Sequence, residues 1–327
     1  MRRDGQGRMT TGRNSIYGWI QQFLRAEPPR SKSLMVTLFG DSIAPRAGGL
    51  WLSELIQLLK PFHMNERLVR TSTFRLAEEG WLQPVRQGRR SRYSLTEPAR
   101  QNIENARRRI YDPAPRSWDG RWTMVILSRS GNHVADRADL RRELEWEGFG
   151  TLAPGIAVHP RADRMGLVAA LDRLRLRESA MVMEAQDLEM VAALPAQALM
   201  AECWNLEALA ALYKGFEARF QPVPELIAEG IEPQAAFVLE TLLIHAFRRV
   251  VLHDPRFPAA LLPEQWPGHT AYDLCRAIYL SVYEETNRYL AQHLDESARR
   301  ITSPGYYERF GGLKGMTAGR LRRVASD

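Results

Sequence analysis

The segment Asn65–Leu95, NERLVRTSTFRLAEEGWLQPVRQGRRSRYSL, combines a helical pattern rich in arginine with an arginine-rich hairpin. Asn65 is suited to cap the start of a helix that runs through Glu79, and Gly80 is suited to end it. Two short extended pieces, WLQPV and SRYSL, lie on either side of the glycine-containing turn RQGRR. The segment predicts a charged helix beside a charged hairpin, and this pair decides the fold expected for the first domain.

The predicted helix has two faces of different chemistry. Val69, Thr73 and Leu76 lie on one face, which can pack on the preceding helix. The other face carries hydrogen-bond donors toward the helix N-terminus, where a recognition helix reaches base edges in the major groove. A bidentate arginine there distinguishes guanine by about 1–3 kcal/mol. The expected DNA-binding residues of the helix are Arg67, Arg70, Thr71, Phe74 and Arg75.

The hairpin adds four arginines that are close together in sequence: Arg86, Arg89, Arg90 and Arg92. A hairpin tip with this charge density is expected to bind DNA phosphates or to enter the minor groove. Such contacts would add salt-dependent affinity rather than sequence discrimination. The alternative for the helix is an ordinary solvated arginine face. The hairpin favours DNA binding, because four like charges on one tip repel each other unless an anion binds.

The remaining sequence predicts an α+β protein with several domains. Helical apolar spacing at residues 16–24 and 52–59 gives the first domain the element order of a winged helix-turn-helix. The linker DPAPRSWDG follows, and strands alternating with two helices then predict a ferredoxin-like β-α-β domain. After residue 195 the pattern is almost wholly helical. The expected boundaries are a flexible arm at 1–15, a winged-helix DNA-binding domain at 16–112, a ferredoxin-like central domain at 118–195, an all-helical C-terminal domain at 196–303 and a flexible tail at 304–327.

Charge and cysteine content narrow the class of partner and the compartment. The 327 residues include 45 Lys and Arg against 38 Asp and Glu, and the net charge of +7 favours an anionic partner. Cys203 and Cys275 are the only cysteines, which argues against a disulfide scaffold and for the reducing cytoplasm. No apolar run approaches the roughly 18 residues that span a bilayer, and no apolar signal core follows the basic N-terminus. Neither membrane insertion nor secretion is expected.

Several long stretches of the sequence resemble the PaaX family, whose members are repressors of phenylacetic acid degradation operons. The resemblance lies in SLMVTLFGDSIAPRAGGLWLSELIQLLKPFHMNERLVRTSTFRLAEEGWL, WDGRWTMVILS, EWEGFGTLAPGIAVHP and HAFRRVVLHDPRFPAALLPEQWPG, and it covers roughly residues 16–303. It implies a winged-helix domain, a central ferredoxin-like domain and a helical C-terminal domain. It also implies a homodimer that is released from double-stranded operator DNA by the effector phenylacetyl-CoA, with no further cofactor.

An acyl-CoA effector needs cationic groups for its phosphates and an apolar slot for its acyl group. The stretch QAAFVLETLLIHAFRRVVL at 234–252 is apolar on two sides of a helix, with His245 and Arg249 inside one apolar stripe. A charged group there needs a partner. The alternative is that Arg249 pairs with Asp254 or a nearby carboxylate and that His245 is a hydrogen-bonded core histidine. The candidate effector-binding residues are His245, Arg248, Arg249 and Arg256, with Trp204, Tyr213, Tyr272 and Tyr279 as aromatic candidates that core packing also explains.

Catalytic and metal-binding functions find little support in the sequence. The layout of the central domain also resembles small ferredoxin-like nucleases of CRISPR adaptation systems, which hold a metal with a carboxylate just after the first strand. Here that strand ends in ILSRSG, and Ser128 and Arg129 stand in place of the carboxylate. His245 and His253 lack an obvious third metal ligand, and no serine-nucleophile elbow, GKS or GKT loop or HExxH pair occurs. No enzyme is expected. A non-specific architectural DNA binder is disfavoured because it would leave the large helical half without a role.

Overall fold

A computed structural model describes residues 15–46, 49–88, 90–115, 117–127, 141–145, 147–186 and 194–313. The chain divides into two compact units, and each is described by itself. The first unit contains the residues up to 112, together with 217–248 and those from 273 onward; the second contains 113–216 and 249–272. The expected domain boundaries stay a prediction. The expected arm before Ser15 and the expected tail after Leu313 lie outside the described residues.

The N-terminal part of the first unit contains the charged helix and the charged hairpin. Its elements are α1 (Ile16–Ala26), α2 (Ser31–Leu38), β1 (Leu50–Trp51), α3 (Leu52–Leu59), α4 (Glu66–Glu78), β2 (Leu82–Gln87), β3 (Arg90–Leu95) and α5 (Glu97–Tyr111). Asn65 caps α4 as predicted, because its side-chain oxygen accepts a hydrogen bond from the Leu68 amide at 2.9 Å. Gly80 follows α4 with a φ of 75°, a left-handed conformation that glycine adopts without steric cost. The predicted helix and hairpin are confirmed.

The hairpin belongs to a three-stranded antiparallel sheet in the order β1-β3-β2. β2 and β3 pair from Leu82 opposite Leu95 to Gln87 opposite Arg90. β1 adds two residues on the other side of β3. Gly49 precedes β1, and a Cβ there would lie 2.2 Å from the carbonyl oxygen of Tyr93, so this close approach requires glycine. The sheet therefore anchors the base of the hairpin.

The second unit is built on a four-stranded antiparallel sheet in the order β5-β6-β4-β7. Its elements are β4 (Arg121–Leu127), β5 (Gly150–Ala153), β6 (Ile156–His159), α6 (Arg164–Arg173), β7 (Ala180–Gln186) and α7 (Ala196–Cys203). Val125 packs in one buried apolar cluster with residues of α6, whereas Trp122 packs in another with Met200 of α7 and Phe257. Side chains three apart on a strand point to opposite faces, so both faces of the sheet carry core. Of the helix expected before β5, residues 141–145 are described and are helical.

The rest of the described chain is helical, and the two antiparallel sheets together with these helices confirm a mixed α+β fold. The helices are α8 (Leu206–Phe220), α9 (Val223–Leu226), α10 (Pro233–Val251), α11 (Pro267–His293) and α12 (Glu296–Arg299), followed by short 3₁₀ turns at Pro304–Tyr306 and Arg309–Gly311. Every residue of α10 from Ala235 to Phe247 is buried. This agrees with the prediction of a helix that is apolar on more than one side.

The first unit encloses a cluster of charged and phenolic side chains. Nη1 of Arg309 donates to Oδ1 of Asp41 at 3.0 Å and to the Tyr279 hydroxyl at 2.6 Å. The Tyr111 hydroxyl donates to the same Asp41 oxygen. Arg309 is only 1% exposed, because residues 304–313 pack into the unit rather than forming the expected flexible tail. The physical reason is a contact between residues 268 positions apart, and no local sequence pattern reports such a contact.

Glu240 on α10 provides a pH-dependent test of this cluster. Burial raises the pKa of Glu240 well above its usual value, and the negative charge of Asp41 raises it further. The folded chain therefore keeps a proton that the unfolded chain releases above about pH 4.5. Because the pKa of Glu240 is higher in the folded chain than in the unfolded chain, the free energy of unfolding decreases as the pH rises from the unfolded pKa to the folded pKa.

Glu240→Gln should therefore gain stability relative to the wild type by about 1.4 kcal/mol per pH unit as the pH rises above the unfolded pKa. Urea unfolding of both proteins across this pH range measures the difference. Glu229→Gln, at an exposed position of the same unit, is the matched control and should show a much flatter difference. A pH-independent difference for Glu240→Gln would contradict the raised pKa.

Candidate nucleic-acid interface

α4 has a buried inner face and an exposed outer face, as predicted. Val69, Thr73 and Leu76 are buried, and the Thr73 hydroxyl donates to the Val69 carbonyl at 2.8 Å. Phe74 is 61% exposed, so its ring is available for apolar contact with a thymine methyl group. All five expected DNA-binding residues of the helix are exposed: Arg67, Arg70, Thr71, Phe74 and Arg75.

Arg70 is held along the first turn of α4 by Glu66. Nε of Arg70 donates to Oε1 of Glu66 at 2.8 Å, the spacing of an i, i+4 pair. Both side chains are more than half exposed, so the pair contributes little to stability and can be exchanged for an anionic partner. The Thr71 hydroxyl donates to the Arg67 carbonyl at 2.9 Å, which leaves its lone pairs as acceptors. The outer face thus offers both donors and an acceptor.

The hairpin turn exposes two described arginines. Arg86 near the end of β2 and Arg90 at the start of β3 flank the turn, and both are exposed. Gly88 in the turn has a φ of 62°, the left-handed conformation that tight hairpin turns favour. Arg89 lies outside the described residues. The described part of the tip has the charge and exposure that phosphate contacts need.

Arg92 differs from the other hairpin arginines, because it lies away from the turn and binds other parts of the protein. Nε and Nη2 of Arg92 donate to the Gly49 carbonyl at 3.1 and 3.0 Å, and Nη2 also donates to the Ser297 hydroxyl at 2.6 Å. Its guanidinium lies 5.6 Å from the ring centre of Trp51. A DNA contact for Arg92 stays a prediction, but the structure gives it a bracing role that the sequence did not reveal, because β1 is too short to recognise from its pattern.

Three of the eight candidate effector-binding residues have internal partners in the first unit. His245 on α10 lies 2.9 Å from the Thr37 hydroxyl through Nδ1, and Nη1 of Arg248 donates to the same hydroxyl at 2.9 Å. Burial lowers the pKa of Arg248. Tyr279 belongs to the buried cluster around Arg309. The interpretation of His245 as a hydrogen-bonded core histidine is confirmed.

The other five candidates lie in the second unit. The Tyr213 hydroxyl donates to Asp254 at 2.5 Å, and Nη2 of Arg256 donates to the Pro113 carbonyl at 2.6 Å. Arg249 is exposed, and the structure shows no ion pair between it and Asp254. Tyr272 is half-buried on α11. Trp204 differs from the rest because it lines a cavity of about 320 Å³.

Among the described residues, no three His, Cys, Asp or Glu side chains stand close enough together to hold a metal ion. No helix in that part of the chain is both long enough and apolar enough to cross a bilayer. Ser128 and Arg129, which occupy the position of the nuclease carboxylate, lie outside the described residues.

Comparison with known proteins places this geometry in a family. The family model of the PaaX-like protein matches residues 30–99, that of the PaaX protein central Cas2-like domain matches 115–197, and that of the PaaX-like protein C-terminal domain matches 204–292. The chain belongs to the PaaX family. Transcriptional repressor PaaX of Escherichia coli (strain K12) is 37% identical to it over 300 residues, which are 90% of this chain and 94% of that protein. The central part of this PaaX-family chain is therefore a Cas2-like domain.

One solved structure also aligns with this PaaX-family chain. The uncharacterized protein Rv0674 from Mycobacterium tuberculosis is 25% identical, and the alignment covers 71% of this chain and 90% of that one with a TM-score of 0.46.

The different environments of Arg92 and Arg90 lead to opposite expectations for the two alanine variants. Arg92→Ala should lower the free energy of unfolding by about 1–3 kcal/mol, because it removes charged donors from the Gly49 carbonyl and Ser297. Arg90 is exposed and lies two residues before Arg92 on β3, so Arg90→Ala should change the free energy of unfolding by less than about 0.5 kcal/mol. Urea unfolding of both variants measures the contrast. Equal stability of the two would contradict the bracing role of Arg92.

Proposed function

We propose that this PaaX-family protein is a DNA-binding transcriptional repressor of an operon for phenylacetate catabolism. In this proposal α3 and α4 form a helix-turn-helix, α4 enters the major groove, and the β2-β3 hairpin is the wing. The observation that carries the proposal is the exposed, arginine-bearing outer face of α4 beside the exposed arginines of the hairpin. The similarity to a transcriptional repressor over 90% of the chain supports the same function.

The proposal includes a homodimer that acts in the cytoplasm and carries out no catalysis. Two copies related by a two-fold axis would place two α4 helices in major grooves about one helical turn apart, so the operator would contain two half-sites. Phenylacetyl-CoA is the proposed effector. It releases the repressor only if it binds the DNA-free conformation more tightly than the DNA-bound one.

In this proposal α4 recognises the operator sequence and the wing binds phosphates, and single substitutions test these two roles. Arg70→Ala should reduce the ratio of operator affinity to random-DNA affinity by roughly 5- to 150-fold, because a bidentate contact to guanine contributes about 1–3 kcal/mol of discrimination. Arg90→Ala should instead weaken both affinities about equally and lower the salt dependence by about one phosphate contact. Arg89→Ala carries the same expectation as Arg90→Ala.

Fluorescence anisotropy with operator and scrambled duplexes at several salt concentrations measures both effects. Arg177→Ala, an exposed arginine of the second unit, is the charge-matched control. Operator affinity and salt slope that stay unchanged in Arg90→Ala would contradict the wing assignment. A loss of discrimination in the control would show that net charge alone accounts for the effects.

Release by the effector is tested separately with the wild-type chain. A gel-shift titration on DNA upstream of the neighbouring catabolic operon compares phenylacetyl-CoA, free phenylacetate and free CoA. The proposal expects specific binding that only the thioester abolishes. Specific DNA binding that phenylacetyl-CoA does not disturb would contradict the proposed effector but not the repressor function. The absence of specific DNA binding would contradict the repressor function itself.

A further inference from the structure

The second unit contains a cavity of about 320 Å³ lined partly by aromatic rings. It lies beside β5, the start of α8 and the segment that follows α10. Phe149, Trp204 and Phe257 contribute the rings, and Asn205 and His253 contribute polar groups. Of these residues only Trp204 was predicted as a ligand contact, because the lining comes from three stretches of the chain that are far apart in sequence, around residues 149, 204 and 255.

The aromatic wall is fixed by its own contacts. Nε1 of Trp204 donates to the Gly148 carbonyl at 3.0 Å, and the Trp204 ring meets Phe257 edge-on with 4.8 Å between ring centres. Gly150 allows β5 to lie directly against the indole, since a Cβ there would come within 2.7 Å of the Trp204 ring. Phe149 and Phe257 are both almost fully buried. A ligand would thus meet a preformed wall and lose little affinity to side-chain ordering.

The volume selects the size of the group that can enter. A cavity of about 150 Å³ is sufficient for benzene, so about 320 Å³ accommodates a phenyl ring with a short linker. A coenzyme A moiety is far too large and would have to remain outside. Edge-to-face contact with the half-buried Trp204 ring favours an aromatic ring over a short aliphatic chain.

The polar groups favour a neutral carbonyl over a free carboxylate. Oδ1 of Asn205 accepts a hydrogen bond from the Ala208 amide at 2.9 Å, so the side-chain NH₂ is left to donate. Nδ1 of His253 lies 2.7 Å from the Arg249 carbonyl, which can only accept, so Nδ1 carries the hydrogen. The described lining includes Glu145 but no lysine or arginine. Glu145 is itself paired with Arg141 at 3.5 Å, so a free carboxylate would find no cation in the described lining, whereas a thioester carbonyl needs only a hydrogen-bond donor.

We infer that this cavity binds the arylacetyl group of the acyl-CoA effector, with the thioester carbonyl near Asn205 and the coenzyme outside. The inference rests on the proposed function, because it gives that function its ligand site. Arg249 is exposed four residues before His253, outside the cavity lining, and in this inference it supplies a cation for the coenzyme phosphates. Trp204 is then the sequence-derived candidate that lines the cavity.

Cys203 provides a direct readout, because it lines the cavity and is half-buried, whereas Cys275, the other cysteine, is fully buried. Alkylation of Cys203 by iodoacetamide, followed by mass spectrometry, measures access to the cavity. Phenylacetyl-CoA at about ten times its Kd should slow the reaction roughly tenfold by mass action. Free CoA and phenylacetate at the same concentration should leave the rate nearly unchanged. If calorimetry shows that phenylacetyl-CoA binds but the alkylation rate of Cys203 does not change, the cavity is not the binding site.

Thr151→Trp tests the same site by filling it from the exposed rim on β5. The control is Met165→Trp, at a position on α6 that is 77% exposed and outside the cavity lining. Calorimetry with phenylacetyl-CoA should show at least about tenfold weaker binding for Thr151→Trp and wild-type binding for the control, with operator affinity unchanged in both.

The outcomes separate the site from the function on which it rests. If Thr151→Trp binds phenylacetyl-CoA as tightly as the wild type and still binds and releases the operator, the cavity is not the effector site. The proposal that the protein is a repressor would stand. If the wild-type chain does not bind phenylacetyl-CoA in calorimetry, both the proposed effector and the proposed cavity site are wrong. The gel-shift titration then tests operator binding independently. If Thr151→Trp does not fold by circular dichroism, protection of Cys203 in the wild-type chain decides the matter.

Discussion

The buried ion pair between Arg309 and Asp41 is the constraint on which the first unit depends. A guanidinium that is 1% exposed has given up its hydration, and only close partners compensate for that loss. Arg309 obtains them from the carboxylate and carbonyl of Asp41 and from the hydroxyl of Tyr279, and its guanidinium also lies 4.3 Å from the ring centre of Tyr111. Removing one member of such a pair typically costs about 3–5 kcal/mol, because the other charge stays buried without a partner. The pair therefore requires residues 304–313 and the turn after α2 to fold together.

Further polar contacts join the DNA-binding segment to the C-terminal segment within the same unit. The Trp51 indole donates to the Asp295 carboxylate at 2.7 Å, and the Asp295 amide donates to Glu54 at 2.7 Å. Nη1 of Arg46 donates to the Arg299 carbonyl at 2.6 Å. These contacts fix the start of the β1-α3 segment, on which α4 and the hairpin are assembled. A helix that reads DNA needs such a rigid support, because base contacts tolerate only small displacements.

The elements of the candidate interface were predictable because local physics determines them. The capping of α4 by Asn65, the alternation of its two faces and the glycine turn of the hairpin all act within about four residues in sequence. Arg92 shows where this reasoning fails: its partners Gly49 and Ser297 are 43 and 205 residues away. Burial of Arg309 and the assembly of Phe149, Trp204 and Phe257 around one cavity depend in the same way on distant segments. Sequence patterns report which face of an element is apolar, but not which distant residue covers it.

Amide hydrogen exchange tests the central claim, that α4 and the hairpin bind the operator and release it when the effector binds. The full chain is measured alone, with operator DNA, and with operator DNA plus phenylacetyl-CoA. The account predicts slower exchange at the start of α4 and in the β2-β3 hairpin when the operator is added, and a return to the free rates when the thioester is added. Protection of a different surface by the operator, with the exchange of α4 and the hairpin unchanged, would contradict the account.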